Sequence, residues 1–249
     1  MRPPLGWRSL VRAALALLLV TSLAAPVQAD DGDPLESFNR GMWWFNDKLD
    51  RYLLEPLAVG WTWITPRILR TRLGNAFDNL RFPGRFVNDL LQGDVKQAGV
   101  EVGRFVTNST LGIAGLFDPA TELGLEMRPE DFGQTLGVWG APPGAFVMLP
   151  LLGPSGVRDG AMLPLDLAIG AWPALISPGA ATAISATDRI NTRAGMIDEV
   201  REARAASLDY YVAVRNAYRQ LREARVQNGE VRDEEASDDL YELDEDDDE

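Results

Sequence analysis

Side chains able to do covalent or metal chemistry are scarce in this sequence. It has no histidine and no cysteine in 249 residues. That removes a Ser-His-Asp triad, an imidazole base, a thiolate nucleophile and any His- or Cys-ligated metal. A Gly-x-Ser-x-Gly elbow is also absent, so a lipase-type serine has neither its turn nor its base. Any catalysis would fall to Asp, Glu, Lys or Tyr. Glu130-Asp131 is an adjacent acid pair. Paired carboxylates can serve hydrolysis, but here the pair reads as a solvated helix start. Gly133, Gly137 and Gly140 follow no strand and open onto no phosphate loop, so they form no nucleotide cradle. Arg104 and Asn108, four apart, share one helix face in an apolar setting. Arg can meet a phosphate and Asn its ester region; equally, the two can serve an Arg–Asp pair or a capping contact. Arg158-Asp159 reads as a structural ion pair or a helix-start feature. No catalytic residue, metal or cofactor is expected.

The charge narrows the partners. Lys plus Arg is 24, Asp plus Glu is 37, and the formal net charge is −13. The excess sits in residues 230–249, which hold 13 acids and one base, Arg232. The body is nearly balanced and has no basic block. Nucleic acid, whose backbone wants Lys and Arg clusters, is therefore not an expected partner. With 23 Gly and 16 Pro, the chain should fold into many short, punctuated elements.

The elements follow from periodicity. Arg2, Arg8 and Arg12 precede an apolar run over residues 13–25, too short to span a bilayer. Val27-Gln28-Ala29 then fits a signal-peptidase site. Residues 1–29 are read as a cleaved signal peptide, residues 30–229 as one helical domain, and residues 230–249 as a disordered acidic tail. Asp33-Pro34-Leu35-Glu36 has the form of a capping box. Leu35, Phe38, Met42, Phe45, Leu49 and Tyr52 then form one helical stripe, with Phe45 expected on its buried side. Breaks are expected at Glu55-Pro56 and Thr65-Pro66. Amphipathic helices should run from Pro66 to about Leu80, from Pro83 to Gly93, and onward from a cap at Asp94. Gly99 and Gly103 form a small-xxx-small pair that permits close helix contact. Residues 146–150 look extended. Ser155 is placed as a helix cap, and Pro173 as a break. From Pro178 the chain favours helix, dividing near Gly195 and Ser207 and closing at Asn228-Gly229. A last stripe runs over Leu208, Tyr211, Val212, Tyr218 and Leu221.

The class is thus all-α with at most a tiny strand pair. Four tryptophans, Trp43, Trp44, Trp61 and Trp63, fall within 21 residues. Trp suits a membrane interface, where one edge is greasy and one is wet. Short amphipathic helices with clustered Trp suggest a protein lying in one leaflet; a soluble helical core with Trp as filler is the other reading.

Several ordered motifs resemble the MlaA (VacJ) family of outer-membrane phospholipid-removal proteins. They are Asp33-Pro34-Leu35-Glu36-Ser37-Phe38-Asn39-Arg40, Phe86-Val87-Asn88-Asp89-Leu90-Leu91-Gln92-Gly93, and Gly103-Arg104-Phe105-Val106-Thr107-Asn108-Ser109-Thr110-Leu111-Gly112. Glu130-Asp131-Phe132-Gly133-Gln134-Thr135-Leu136-Gly137 and Leu149-Pro150-Leu151-Leu152-Gly153-Pro154-Ser155 follow, with Arg158-Asp159. Asp209-Tyr210, Arg215-Asn216-Ala217-Tyr218 and Gln220 complete the set. The resemblance covers roughly residues 33–229. It implies a ring-shaped assembly of short amphipathic helices in the inner leaflet of the outer membrane, beside a trimeric porin. An amphipathic channel would pass phospholipid to a periplasmic MlaC-like carrier, preserving lipid asymmetry without chemistry on the lipid. Phe45-Asn46 matches a part of the first family helix that the resemblance links to gating; Phe45 as a plain stripe residue is the alternative. Family members are commonly lipoproteins. This sequence has no Cys to acylate, so the expectation is a protein that is not one.

Overall fold

Why these residues make these elements is visible from the first helix. The computed structural model describes residues 33–170 and 177–227. The expected signal peptide, acidic tail, Pro173 break and Asn228-Gly229 cap lie outside them. Helix α1 (Glu36–Leu49) runs without a break through a π turn (Asp50–Leu54) into α2 (Glu55–Ile64). Pro56 brings no N–H. The chain widens just before it, and Glu55 N–H donates to Asp50 O, five residues back. The break expected at Glu55-Pro56 is therefore absorbed. Thr65 is extended at φ −122° and ψ 104°, the conformation that a following proline favours, and α3 (Arg67–Leu80) restarts the chain.

Helices α4 (Phe82–Gln92) and α5 (Val95–Thr110) pack together across Gly93, which closes α4 at φ +83°. Asp94 caps α5 by accepting Gln97 N–H at 2.8 Å. A short α6 (Pro119–Glu122) is capped by Asp118, and α7 (Phe132–Val138) by Asp131. Strands β1 (Phe146–Leu149) and β2 (Gly153–Gly156) pair antiparallel, with Phe146 opposite Gly156 and Leu149 opposite Gly153. Ser155 lies in β2, opposite Val147, and does not cap a helix; α8 (Val157–Gly170) starts beyond it. Helices α9 (Pro178–Gly195), α10 (Ile197–Ala206) and α11 (Tyr210–Val226) complete the described chain, divided where Gly195 and Ser207 stand.

The packing forms a circuit. Helix α2 lies on α9, α9 on α3, α3 on α4 and α5, and α4 on α7 and α8. Helix α8 lies on both strands, and β1 lies on α1, which continues into α2.

Burial reverses the usual pattern. A small apolar core holds Phe146, Met148 and Tyr211, backed by Met42, Trp43, Val212 and Tyr218. Much of the remaining interior is polar: Asn39, Arg85, Asn88, Asp89, Glu101, Arg104, Gln134, Arg158 and Arg222 are all buried. Large apolar side chains point outward instead. Of the expected α1 stripe, Leu35, Phe38, Phe45 and Tyr52 are exposed, and only Met42 joins the core. Phe45 is 41 % exposed, so its placement on a buried stripe is corrected. Leu208 and Leu221 of the last stripe are exposed too. No helix among the described residues is long and apolar enough to cross a membrane.

Two glycine expectations also change. A Cβ at Gly99 would meet open space, and one at Gly103 would meet only the Leu125 side chain, so no helix uses this pair for close approach. Gly133 and Gly137 instead carry the close contact. A Cβ there would come within 2.5 Å of Asp159 Oδ1 and 2.6 Å of Arg158 Nη1. Their bareness lets α7 ride directly on a charged cluster.

Candidate functional site

Helix α1 presents two chemically opposite faces. Inward, Asn39 is fully buried and grips the free edge of β1. Its Nδ2 donates to Phe146 O at 3.0 Å and its Oδ1 accepts Met148 N–H at 2.8 Å. Seven residues on, Asn46 repeats the contact: Nδ2 donates to Leu149 O, and Oδ1 accepts Leu151 N–H, both at 2.8 Å. Two carboxamides thus substitute for a third strand and pin the hairpin turn, where Leu151 sits at φ +67°. Outward, Phe45 carries no such contact and faces the surroundings. The two neighbours of the expected gating pair therefore divide, one holding the hairpin and one facing out.

Asp33 departs from the capping box. The helix starts at Glu36. Asp33 instead accepts Leu35 N–H, Asn39 Nδ2 and the Tyr211 hydroxyl. Glu36 reaches outward to Arg40 at 2.6 Å, not back to the chain start. Burial pushes the Tyr211 hydroxyl well above its ordinary range, and its bond to the Asp33 carboxylate pushes it further.

Arg104 and Asn108 meet protein partners. Arg104 Nη2 grips both oxygens of Asp118, at 3.1 and 2.9 Å, while Nη1 donates to Thr121 and to Leu125 O. Asn108 donates to Asp118 Oδ1 at 2.8 Å and accepts Ala120 N–H at 3.1 Å. This is the Arg–Asp and capping arrangement. Beside it lies a polar recess of about 30 Å³, lined by Asn75, Asp78, Asn79, Arg85, Arg104 and Asn108 among others. It has room for a water, not for a lipid headgroup.

The Glu130-Asp131 pair opens a helix but is not solvated. Asp131 accepts both terminal nitrogens of Arg222, and Glu130 accepts Gln92 Nε2 at 2.7 Å. Burial alone would raise Asp131; the Arg222 guanidinium outweighs it and holds the carboxyl below its usual range. Arg158 pairs with Asp159 at 2.9 Å, and Arg222 and Tyr218 join at the other Asp159 oxygen. Asp89 is different. It is 2 % exposed with Oδ2 unpartnered, and the neighbouring buried Glu101 keeps Oε1 unpartnered while pairing with Arg85 through Oε2 at 2.7 Å. Burial, then Glu130, Glu101 and Asp94, push Asp89 up to about 7 against the pull of Arg85.

A further network holds the π turn. Asp47, Asp50 and Glu55 meet Arg193 of α9 and Arg201 and Arg204 of α10 at 2.7–3.4 Å. The sequence reading does not find it, nor the hairpin contacts of Asn39, the Tyr211–Asp33 bond or the role of Arg222. The Asn39–Asn46 spacing of seven, on one helical face, was the signal available for the hairpin clamp.

The four clustered tryptophans divide equally. Trp43 packs edge-on against Tyr210 and Tyr211, and Trp61 donates its indole N–H to Asn191 at 3.1 Å. Trp44 and Trp63 are 62 % and 85 % exposed.

Comparison with known proteins places this architecture in a family. The family model described as MlaA lipoprotein matches residues 31–225. The intermembrane phospholipid transport system lipoprotein MlaA of Escherichia coli is 35 % identical, with 92 % of this chain and 94 % of that protein covered. Its namesake from Haemophilus influenzae is 30 % identical, covering 90 % and 92 %. A solved structure, from work on the structural basis for maintenance of bacterial outer membrane lipid asymmetry, superposes with a TM-score of 0.68 at 35 % identity. It covers 78 % of this chain and 99 % of its own. The mostly helical fold, its lone hairpin and the match along nearly all of the body place this chain in the MlaA family.

Proposed function

We propose that this protein removes mislocalised phospholipid from the outer leaflet of the bacterial outer membrane and hands it to the periplasm, maintaining lipid asymmetry. The observation that carries the reading is the reversed burial: polar side chains hold the interior while Phe38, Trp44, Phe45, Trp63, Ile64 and Ile68 face out. Such a surface is costly in water and matched to acyl chains. The circuit of packed helices supports a ring lying in the inner leaflet, with an amphipathic passage at its centre. The sequence holds no cysteine to acylate, so within these residues the apolar face is what holds the protein on lipid.

Transport of this kind requires no covalent step, and the interior acids Glu101, Asp131 and Asp159 sit in ion pairs with Arg85, Arg222 and Arg158. We read the protein as a non-enzymatic conduit. A trimeric porin beside the ring and a soluble MlaC-like carrier at its periplasmic mouth complete the proposal. Phe45 and Asn46 set whether the passage is open, because Asn46 fixes the hairpin turn while Phe45 meets the lipid side. Arg104 and Asn108, committed to Asp118, shape the wall of the path instead of gripping a phosphate.

The test is surface-exposed phospholipid in a strain deleted for the protein. Restoration of asymmetry by this chain supports the reading. Normal accumulation in the outer membrane without restored asymmetry would contradict it and favour a membrane-bound scaffold.

A further inference from the structure

The corner between α2 and α3 combines exposed apolar side chains with uncompensated basic ones. It is apolar and projecting: Trp63, Ile64, Pro66, Arg67, Ile68 and Leu69 are all exposed, and only Thr65 between them is buried. It is also purely basic. Residues 56–77 contain Arg67, Arg70 and Arg72 and no Asp or Glu, in a chain of net charge −13. Among the described residues none of the three has a carboxylate partner. Arg70 donates to the Ala194 carbonyl at 3.1 Å, Arg72 lies 4.0 Å over the Phe117 ring, and the Arg67 side chain has no bond among the described residues. Interior arginines behave oppositely: Arg85, Arg104, Arg193, Arg204 and Arg222 each grip at least one carboxylate.

Uncompensated guanidinium groups beside exposed Trp and Ile match the chemistry of an anionic bilayer surface, where apolar side chains enter the acyl boundary and cations meet phosphates. We propose that this corner docks on anionic phospholipid headgroups and makes the protein favour negatively charged over zwitterionic lipid. The inference rests on the membrane reading above and adds a lipid class to it.

Vesicle flotation of the full-length protein tests it, with vesicles of phosphatidylcholine alone or with phosphatidylglycerol added. The wild type should float with both and bind the anionic vesicles more tightly, the difference shrinking as salt screens the charges. Arg67→Gln, at an exposed position, should weaken anionic binding about five-fold, from about 1 kcal/mol per basic residue near such a surface. Arg67→Gln with Arg72→Gln should lose about 25-fold, and Arg67→Lys should keep most of the binding. Trp63→Ala should weaken binding to both vesicle types alike. Equal binding to both compositions, or an unchanged Arg67→Gln protein, overturns the lipid preference and leaves the membrane reading standing. Flotation with neither overturns both. Equal flotation with salt-sensitive capture on immobilised polyglutamate would assign the corner to an acidic protein, against the proposal.

Discussion

The Arg104–Asp118 seam and the Trp63–Leu69 corner sit at opposite ends of this protein's logic. In the seam, the buried Arg104 guanidinium, the Asn108 carboxamide, the Thr121 hydroxyl, the Leu125 carbonyl, the Ala120 N–H and the Asp118 carboxylate satisfy one another. At the corner, large apolar groups face outward with no protein over them. In a water-soluble domain the apolar side would hold the fold and the polar side would meet the solvent. Here directional bonds specify the interior, and the apolar surface is left for the surroundings. Substitutions in the two regions should therefore fail in different ways.

The largest effect belongs to the seam. Arg104→Met leaves the half-buried Asp118 without its cation and the Leu125 carbonyl without its donor, and should cost about 3 kcal/mol of unfolding free energy. Chemical denaturation in detergent measures it; a loss below about 1 kcal/mol would show that the seam does not carry the fold. Next comes the hairpin clamp. Asn39→Leu strips partners from Phe146 O and Met148 N–H and should cost about 2–3 kcal/mol, while Asn46→Leu, whose Leu151 end is exposed, should cost about 1 kcal/mol. Equal costs would mean that burial does not grade these contacts.

Asp89 sharpens the interior side by pH. Its folded-state pKa is about 7 against an ordinary value of 3.8. The folded state thus holds the extra proton between these values. Its contribution is fully present below about 4 and is lost as pH rises through about 7. Ion-paired Asp50, Asp118 and Asp131, held below their usual range, work the other way and lose their contribution as pH falls. The Asp89→Asn protein should be more stable than wild type at pH 8 by about 2 kcal/mol, with the gap closing toward pH 4. Melting curves across that range decide it; parallel curves would refute it. The smallest stability effects belong outside. Phe45→Ala and Trp63→Ala should each change stability in detergent by no more than about 0.5 kcal/mol, yet weaken retention on membranes. A large melting shift would place these rings in a core.

Sequence reading recovered the elements better than their orientation. Asp94, Pro178, Gly195 and Ser207 mark boundaries because caps and breakers act locally, within a turn of themselves. The stripe through Phe38 and Phe45 was periodic, but periodicity reports only that a helix has two unlike faces. Which face turns inward depends on what surrounds the protein. Asn39 and Asn46 decide it for α1, through partners more than 100 residues away. For the same reason Asp33 could be seen as a helix cap but not as the acceptor for Tyr211, 178 residues on. Arg104 and Asn108 are legible as a pair; their convergence on the Asp118 carboxylate needs the turn that brings it to them.

Lipid exposure of the tryptophans tests the inside-out account most directly. Four proteins, each retaining only Trp43, Trp44, Trp61 or Trp63 with the other tryptophans replaced by Phe, can be placed in bilayers carrying brominated acyl chains. Trp44 and Trp63, facing out, should be strongly quenched. Trp43, edge-on to Tyr210 and Tyr211, and Trp61, bonded to Asn191, should be quenched far less. Equal quenching of all four, or quenching of Trp43 and Trp61 above the other pair, would contradict the account.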